Sequence, residues 1–244
     1  MRIIDAHVHL GNQPFKQYTP EDLAADLARC NADGAVLFAF PEDMYRCIDS
    51  DESRRQANDY VLASAQDNPR LYPFYFIWNG YAQPSDWQPW RGIKWHRHAD
   101  EPRYDYEDPR CEAILQAIRA HNLPVILEEE FPATVAFIER NPQLNIIIPH
   151  MGSLNGGYEA VEAFYSNPHI YYGTSTAELV AIEKALDNVG VERVIFGSDV
   201  SGTGLPYFNF PYVELEKIMK LGLTEDELGP ILGGSIQRLI GQPD

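Results

Sequence analysis

The chain of 244 residues carries 36 acidic and 19 basic residues, a formal net charge of -17 at pH 7. This excess negative charge repels a phosphate backbone at long range and argues against nucleic acid as a partner. The 45% hydrophobic and 12% aromatic content is enough for a full globular core, which excludes a disordered or fibrous chain. No run of about 18 apolar residues and no leader pattern is present, which predicts a cytoplasmic protein that binds no membrane.

Eight short apolar runs, rich in β-branched and aromatic residues, follow one another along the chain. They predict strands at 3–10, 34–40, 71–78, 92–98, 124–130, 145–152, 170–176 and 193–199. Runs such as VLFAF and IIIP are apolar on both faces. That pattern is typical of parallel strands that are covered by helices.

Amphipathic stretches of about one to two dozen residues lie between most of these strands. One predicted helix begins at Pro20 and Glu21, and another has Asp108 as its N-cap and Pro109 at its first position. The segment GYAQPSDWQPW, after the third strand, has two prolines and no clear helical face. Two further helices are predicted in the tail from 212 to 241.

The alternation of strand and helix predicts parallel strands joined by crossovers. Eight such units in about 250 residues is the size of a (β/α)8 TIM barrel. We therefore predict one α/β barrel domain over 1–244, irregular after the third strand and with extra C-terminal helices. The alternative is an open doubly wound sheet, but HVHLGNQ is not the glycine-rich loop that nucleotide binding would need there.

Polar residues concentrate at the predicted carboxyl ends of the strands, where barrels build their active sites. Those at or near such ends are His7, His9, Lys94, His96, His98, Glu128, Glu130, His150 and Asp199. His121 and His169 precede strands and are predicted to be structural. The three cysteines form no C-x-x-C pattern and are predicted to be reduced thiols without a metal role: Cys30, Cys47 and Cys111.

His7 and His9 share one strand face, so both imidazoles are expected to point into the barrel mouth. Imidazole is a common zinc ligand, and a catalytic zinc has about three protein ligands and an open position for water. For so short a pattern, two hydrogen-bonded core histidines are the alternative.

Asp199 ends the eighth strand, which closure of a barrel brings beside the first. Its carboxylate can therefore ligate the same cation and take a proton from the bound water, although an N-cap or turn role is the alternative. His150, at the end of the sixth strand, can polarise a substrate carbonyl, bind metal or hydrogen-bond a loop.

Four motifs together resemble the amidohydrolase superfamily, specifically its amidohydrolase-related branch of small metal-dependent hydrolases and decarboxylases. They are H-x-H in IDAHVHLG, GIKWH on the fourth strand, H-x-G in PHMG on the sixth and GSD on the eighth. The segment ILGGSIQRLIG resembles the closing helix of that branch. The resemblance implies that His7, His9 and Asp199 bind a divalent metal and that His150 positions water or substrate.

The chain departs from this pattern on the fifth strand. Where the branch usually has a metal-binding histidine after P-V and two hydrophobic residues, this chain reads PVILE and places Glu128 there. Glutamate also binds zinc or manganese, so we predict Glu128 as a further ligand of one zinc ion, with manganese as the alternative. The run Glu128 to Glu130 can also be the solvated start of a loop.

Lys94, His96 and His98 alternate onto one face of the fourth strand. Some superfamily members carry a carboxylated lysine there that bridges two metals. We favour a free Lys94 in the active site, which holds a substrate carboxylate or pairs with Glu128. His96 is predicted to contact substrate and His98 to lie at the rim.

Aromatic residues at predicted strand ends, or in loops after them, offer walls for a small organic substrate. They are Trp78, Trp95, Tyr172 and Phe208. The loops GYAQPSDWQPW and VSGTGLPYFNFPY are expected to set specificity. The predicted partner is a small-molecule substrate, and a homo-oligomer remains open.

The leading prediction for function is hydrolysis of an ester, lactone or amide. The metal lowers the pKa of a bound water, Asp199 takes its proton and later protonates the leaving group, and the metal or His150 polarises the carbonyl. Non-oxidative decarboxylation of a cyclic carboxylic acid would use the same site without adding water. The third hypothesis is a catalytically silent, ligand-binding barrel. Glu128, in the place of the usual histidine, would be one sign that the site has lost its catalytic residues.

Overall fold

The protein is described here by a computed structural model that covers residues 1–14, 16–41, 48–97, 103–202 and 209–241. Its main sheet has eight strands in chain order, and each pairs in parallel with the next. They are β1 Ile4–His9, β2 Gly34–Phe38, β3 Leu71–Ile77, β4 Gly92–His96, β5 Val125–Glu128, β6 Ile146–Ile148, β7 Ile170–Gly173 and β8 Val194–Ile195. All eight predicted strands are confirmed.

The segment that follows β8 returns to β1 and brings the sheet close to a complete barrel. The Ala6 N–H donates to the Phe196 carbonyl at 3.0 Å, and the Asp199 N–H donates to the His7 carbonyl at 2.8 Å. Val8 and Val200 form a parallel bridge further along. This seam confirms the predicted TIM barrel and excludes the open doubly wound sheet.

The described residues form eight α-helices, most of them between strands. They are α1 Pro20–Arg29, α2 Asp51–Ala65, α3 Pro109–His121, α4 Phe131–Arg140, α5 Leu179–Val189, α6 Pro211–Met219, α7 Glu225–Gly229 and α8 Ser235–Leu239. The predicted starts at Pro20 and Pro109 are confirmed, and the Asp108 side chain caps α3 by accepting the Arg110 N–H. A π-helical turn, Pro230–Gly234, joins α7 to α8, so the tail consists of two helical segments as predicted.

The connection from β3 to β4 has no helix, as its two prolines predict. Two of its aromatic rings cover the outer face of β3 instead. Trp90 packs edge-on against Tyr75 with ring centroids 4.9 Å apart, and Trp87 contacts the same ring at 5.7 Å. Aromatic packing therefore takes the place of a crossover helix on this side of the barrel.

Two features of the strands were not predicted, a separate hairpin and the early end of β6. A hairpin of two three-residue strands, Gly11–Gln13 and Lys16–Tyr18, follows β1. Strands this short show no clear alternation of polar and apolar residues. β6 is shorter than its apolar run because Pro149 has no N–H for the ladder and His150 and Met151 adopt left-handed backbone angles.

Within the part of the chain that the structure describes, every helix is too short or too polar to cross a lipid bilayer. The cytoplasmic location and the single domain over 1–244 stay predictions.

Candidate functional site

A cavity of about 810 Å³ opens at the carboxyl ends of the strands. Most of the predicted polar residues lie in its wall or directly beneath it. The described residues that line it are His9, Pro41, His96, Arg97, Glu128, Glu130, Phe131, Pro132, His150, Ser153, Leu154, Gly156, Asp199 and Ser201. This is the end of a barrel at which sites are built from loops on a packed scaffold.

His7, His9 and Asp199 meet at the floor of the cavity. The Nε2 atoms of His7 and His9 lie 3.3 Å and 3.4 Å from the same oxygen, Oδ1 of Asp199. His150 joins this group, because ligand atoms of His7, His150 and Asp199 all lie within 4.8 Å of one another. The structure therefore brings together residues from the ends of three strands that the sequence places far apart.

The protonation of these side chains suits a cation. The Nδ1 of His9 lies 2.8 Å from the Ala39 carbonyl, which can only accept, so Nδ1 carries the hydrogen and Nε2 turns a lone pair toward Asp199. Burial lowers the pKa of His9 below its usual value and holds that of His7 well below it, which keeps both rings neutral. Burial raises the pKa of Asp199, but its contacts with His7 and His9 and the charge of His150 outweigh this and hold it well below its usual range.

The spacing of these atoms is a test of whether the residues fit a metal. A ring lone pair and a carboxylate oxygen at 3.4 Å need a proton or a cation between them, and the low pKa of His9 disfavours the proton. Ligand atoms about 2.0 to 2.1 Å from one tetrahedral zinc ion lie about 3.3 to 3.4 Å apart. The two observed distances of 3.3 Å and 3.4 Å match, so each imidazole is placed to share a divalent ion with Asp199.

Glu128 pairs with cationic and imidazole groups. Its Oε2 lies 3.0 Å from the Lys94 ammonium and 3.5 Å from Nε2 of His150, and its Oε1 lies 3.3 Å from Nε2 of His96. Burial raises the pKa of Glu128, but the charge of Lys94 and then that of His96 outweigh it and hold the pKa well below its usual range. The structure thus shows the predicted Lys94–Glu128 pair, and among the described residues the group of His7, His150 and Asp199 includes neither Glu128 nor His9.

His150 is held by the end of the neighbouring strand β7. Its Nδ1 lies 3.1 Å from the carbonyl and from the hydroxyl of Ser175, and its Nε2 faces Glu128. Burial lowers the pKa of His150, but the hydrogen bond and charge of Glu128 outweigh it and raise the pKa above its usual value. This ring is therefore the one in the group that keeps a proton most readily.

The predicted aromatic walls are corrected by the structure. Trp95 is fully buried and packs against Phe137 outside the barrel, because it alternates with the inward-facing Lys94 and His96. The Tyr172 hydroxyl donates to the Val161 carbonyl in the core, and Trp78 stacks on Phe76 with centroids 4.3 Å apart.

These three rings, Trp78, Trp95 and Tyr172, are buried and do not line the cavity. The apolar wall among the described residues is formed by Pro41, Phe131, Pro132 and Leu154 instead. His98 and Phe208 lie outside the described residues, as does Cys47.

The sequence reasoning missed Arg97, which lines the cavity directly after His96. Its guanidinium is buried and forms ion pairs with Glu129 at 3.0 Å and Glu130 at 3.2 Å. It also missed Lys16 of the hairpin, whose ammonium donates to the cavity residue Ser201 at 3.0 Å. The signal for Arg97 was available, since it follows GIKWH at a strand end, whereas the approach of Lys16 depends on the unpredicted hairpin.

Comparisons with solved structures show the same fold. A probable 2-pyrone-4,6-dicarboxylic acid hydrolase from Acinetobacter baumannii, with citric acid bound, has a TM-score of 0.75 and 15% identity over 99% of this chain and 100% of its own. The 2,6-dihydroxybenzoate decarboxylase from Rhizobium has a TM-score of 0.74 and 14% identity over 99% of both chains. An amidohydrolase from Burkholderia multivorans with bound zinc has a TM-score of 0.73 and 16% identity over 100% of both chains.

At these identities the likeness shows the fold alone. A search of curated proteins finds no match. The family profile described as amidohydrolase matches residues 4–241, nearly the whole chain, and the chain therefore belongs to the amidohydrolase family.

Proposed function

We propose that this protein is a metal-dependent hydrolase that cleaves an ester, lactone or amide bond of a small organic substrate. The observation that carries the proposal is the convergence of His7 and His9 on one oxygen of Asp199 at the floor of an open cavity. Membership of the amidohydrolase family and the zinc bound to a structural relative support it.

His7, His9 and Asp199 would hold one divalent ion, for which we propose zinc, with manganese as the alternative. When bound, such an ion lowers the pKa of a water toward neutrality and polarises a carbonyl. Glu128, with Lys94 only 3.0 Å away, is proposed to act first as the counter-ion of that ammonium and only in second place as a further ligand.

The protein's own residues would carry the proton transfers. Asp199 is ionised at neutral pH and can accept a proton from the attacking water and return it to the leaving group. His150, which takes up a second proton more readily than His7 or His9, would donate it from Nε2 in a hydrogen bond to the substrate carbonyl. His96 lines the cavity beside them and is proposed to contact substrate.

Decarboxylation of a cyclic carboxylic acid is the second candidate. The likeness to the Rhizobium decarboxylase supports it as strongly as the likeness to the hydrolase from Acinetobacter supports hydrolysis. In that reaction His7, His9 and Asp199 would orient a carboxylated ring, and His150 could protonate the carbon that loses carbon dioxide. Release of carbon dioxide from a panel of cyclic acids, against hydrolysis of esters, lactones and amides, separates the two.

The first test is elemental analysis of the purified protein. We expect about one zinc or manganese per chain in the wild type and its loss in the His7→Ala/His9→Ala double variant, because both rings supply a ligand atom. The matched control removes two other histidines, His121→Ala/His169→Ala, and should keep the metal. Asp199→Asn should lose turnover while it keeps the fold.

Two metals per chain would instead indicate a bridged centre with carboxylated Lys94. If neither the wild type nor the control binds metal, even after reconstitution with zinc and manganese, the proposal is wrong. The remaining possibilities would then be a metal-free enzyme or a silent barrel.

A further inference from the structure

Helix α6 contacts the turn that holds His150, although none of its described residues lines the cavity. Glu214 and Lys217 form an ion pair on this helix, with 2.5 Å between Nζ and Oε2. The Glu214 carboxylate is buried, with a side-chain exposure of 7%, and it accepts the backbone N–H of Thr176 at 3.1 Å. Lys217 donates to the Ala177 carbonyl at 2.8 Å. The pair therefore holds the turn at residues 174–177, which follows β7.

That turn has a conformation that needs support. The Ala177 N–H donates to the Thr174 carbonyl at 3.2 Å and closes the turn, and Thr176 has a φ of +54°. A β-branched residue rarely adopts this left-handed region, because its side chain crowds the backbone. The hydrogen bond from Thr176 to Glu214 offsets part of that cost.

The same turn supplies every described partner of the His150 Nδ1 atom. The Ser175 carbonyl, the Ser175 hydroxyl and the Thr176 hydroxyl each lie 3.1 Å from it. The carbonyl can only accept and the two hydroxyls can also accept, so this set of partners suits an Nδ1 that carries hydrogen, with Nε2 turned to the cavity. A group that fixes the far nitrogen of an active-site histidine determines its tautomer and its ring orientation.

We propose that Glu214 is a positioning residue for His150, with Lys217 as its counter-ion. Glu214 acts through the turn at residues 174–177 and keeps Nδ1 of His150 directed at the Ser175 carbonyl, so that Nε2 faces the cavity. This inference deepens the proposed function and rests on the role proposed there for His150.

The state of Nδ1 can be measured directly by NMR of protein labelled with ¹⁵N in its histidine rings, with the His150 signals assigned by their loss in His150→Gln. We expect Nδ1 of the wild type to carry hydrogen and to give one signal. Glu214→Ala should shift or split that signal, because the turn no longer holds the ring in one position. Glu214→Gln should retain the wild-type spectrum, because its amide oxygen can still accept from Thr176.

A matched control on the same helix is Glu216→Ala, since the Glu216 side chain is 67% exposed and pairs only with Lys220 among the contacts described here. It should leave the His150 signals unchanged. Wild-type signals in a folded Glu214→Ala protein, or equal changes in Glu214→Ala and Glu216→Ala, would overturn the proposal. If Glu214→Ala does not fold, Glu214→Asp replaces it, because it withdraws the carboxylate by one methylene and should also shift the Nδ1 signal.

Kinetics give a second readout once a substrate is known. Glu214→Ala should lower kcat on the order of tenfold and change KM less, as is usual for groups that orient an active-site histidine. The spectra need neither substrate nor metal, so an error in the proposed reaction would leave them interpretable. Absence of activity in every variant and in the wild type would count against the proposed function and not against this inference.

Discussion

At the scale of single residues, the two-residue period of a strand decides which side chains reach the cavity. It places Lys94 and His96 inside the barrel, as predicted, and it turns Trp95 between them to the outside. Position at a strand end alone led to the wrong prediction for Trp95, although the period was readable in the sequence. The pairing of Glu128 with Lys94 was one of two roles predicted for Lys94, because the register of β4 and β5, on which the pairing depends, is not readable in the sequence.

The Lys94–Glu128 pair yields a prediction about stability. Glu128→Leu leaves the Lys94 ammonium without its anion in a site where both side chains are at most 2% exposed. Such a loss costs about 3 to 5 kcal/mol, and the double variant Lys94→Met/Glu128→Leu should recover most of it because neither charge of the pair is then left buried without its partner. Urea unfolding measures both free energies.

An exposed pair serves as the control for that experiment. The Lys184 and Glu162 side chains are 52% and 31% exposed, so Glu162→Leu should change the free energy of unfolding far less than Glu128→Leu does. An equal loss in Glu128→Leu and Glu162→Leu would show that burial of the Lys94–Glu128 pair has no special effect.

At the scale of elements, the eight strands were predictable because each is a continuous apolar run between breaks. The end of β6 was not predictable in this way. The run from which the strand was predicted continues through Met151, whereas the backbone leaves the strand at Pro149. The seam between β1 and the segment after β8 depends on a feature that sequence patterns do not show. A Cβ on Gly197 would lie 2.8 Å from the Cβ of His7, so only glycine allows this approach.

Gly197→Ala should therefore displace His7 and weaken metal binding, while the rest of the barrel remains folded. We expect a loss of metal affinity of at least about tenfold, by analogy with groups that orient metal ligands. Competition with a chelator of known affinity measures it. Gly229→Ala is the matched control, because an added Cβ there meets nothing within 4 Å and a helical alanine is favourable. Equal affinities in the two variants would contradict the prediction.

At the scale of the whole molecule, the proposed ion would join the two edges of the sheet that close the barrel. His7 and His9 lie on β1, and Asp199 lies just beyond β8. The circular order of strands was predictable from their number and spacing. The charge of -17 predicts that nucleic acid is not a partner but says nothing about how the edges meet.

Removal of metal should consequently lower the melting temperature of the wild type. A ligand at about 100 times its Kd stabilises the folded state by about 2.7 kcal/mol. In a chain of this size that corresponds to about 5 to 10 °C. Calorimetry with and without EDTA measures the shift, and the His7→Ala/His9→Ala variant should show none. An unchanged wild-type melting temperature would show that the ion does not stabilise the seam.

The connection between β3 and β4, which has no helix, determines what the tryptophan fluorescence of the protein can report. All four tryptophans lie between 78 and 95, in or beside this connection, and Trp87 and Trp90 form its cover. Intrinsic fluorescence therefore reports on one side of the barrel and not on the seam between β1 and β8. Opening of that seam would leave the emission spectrum almost unchanged, whereas loosening of the β3 to β4 connection would shift it toward longer wavelength.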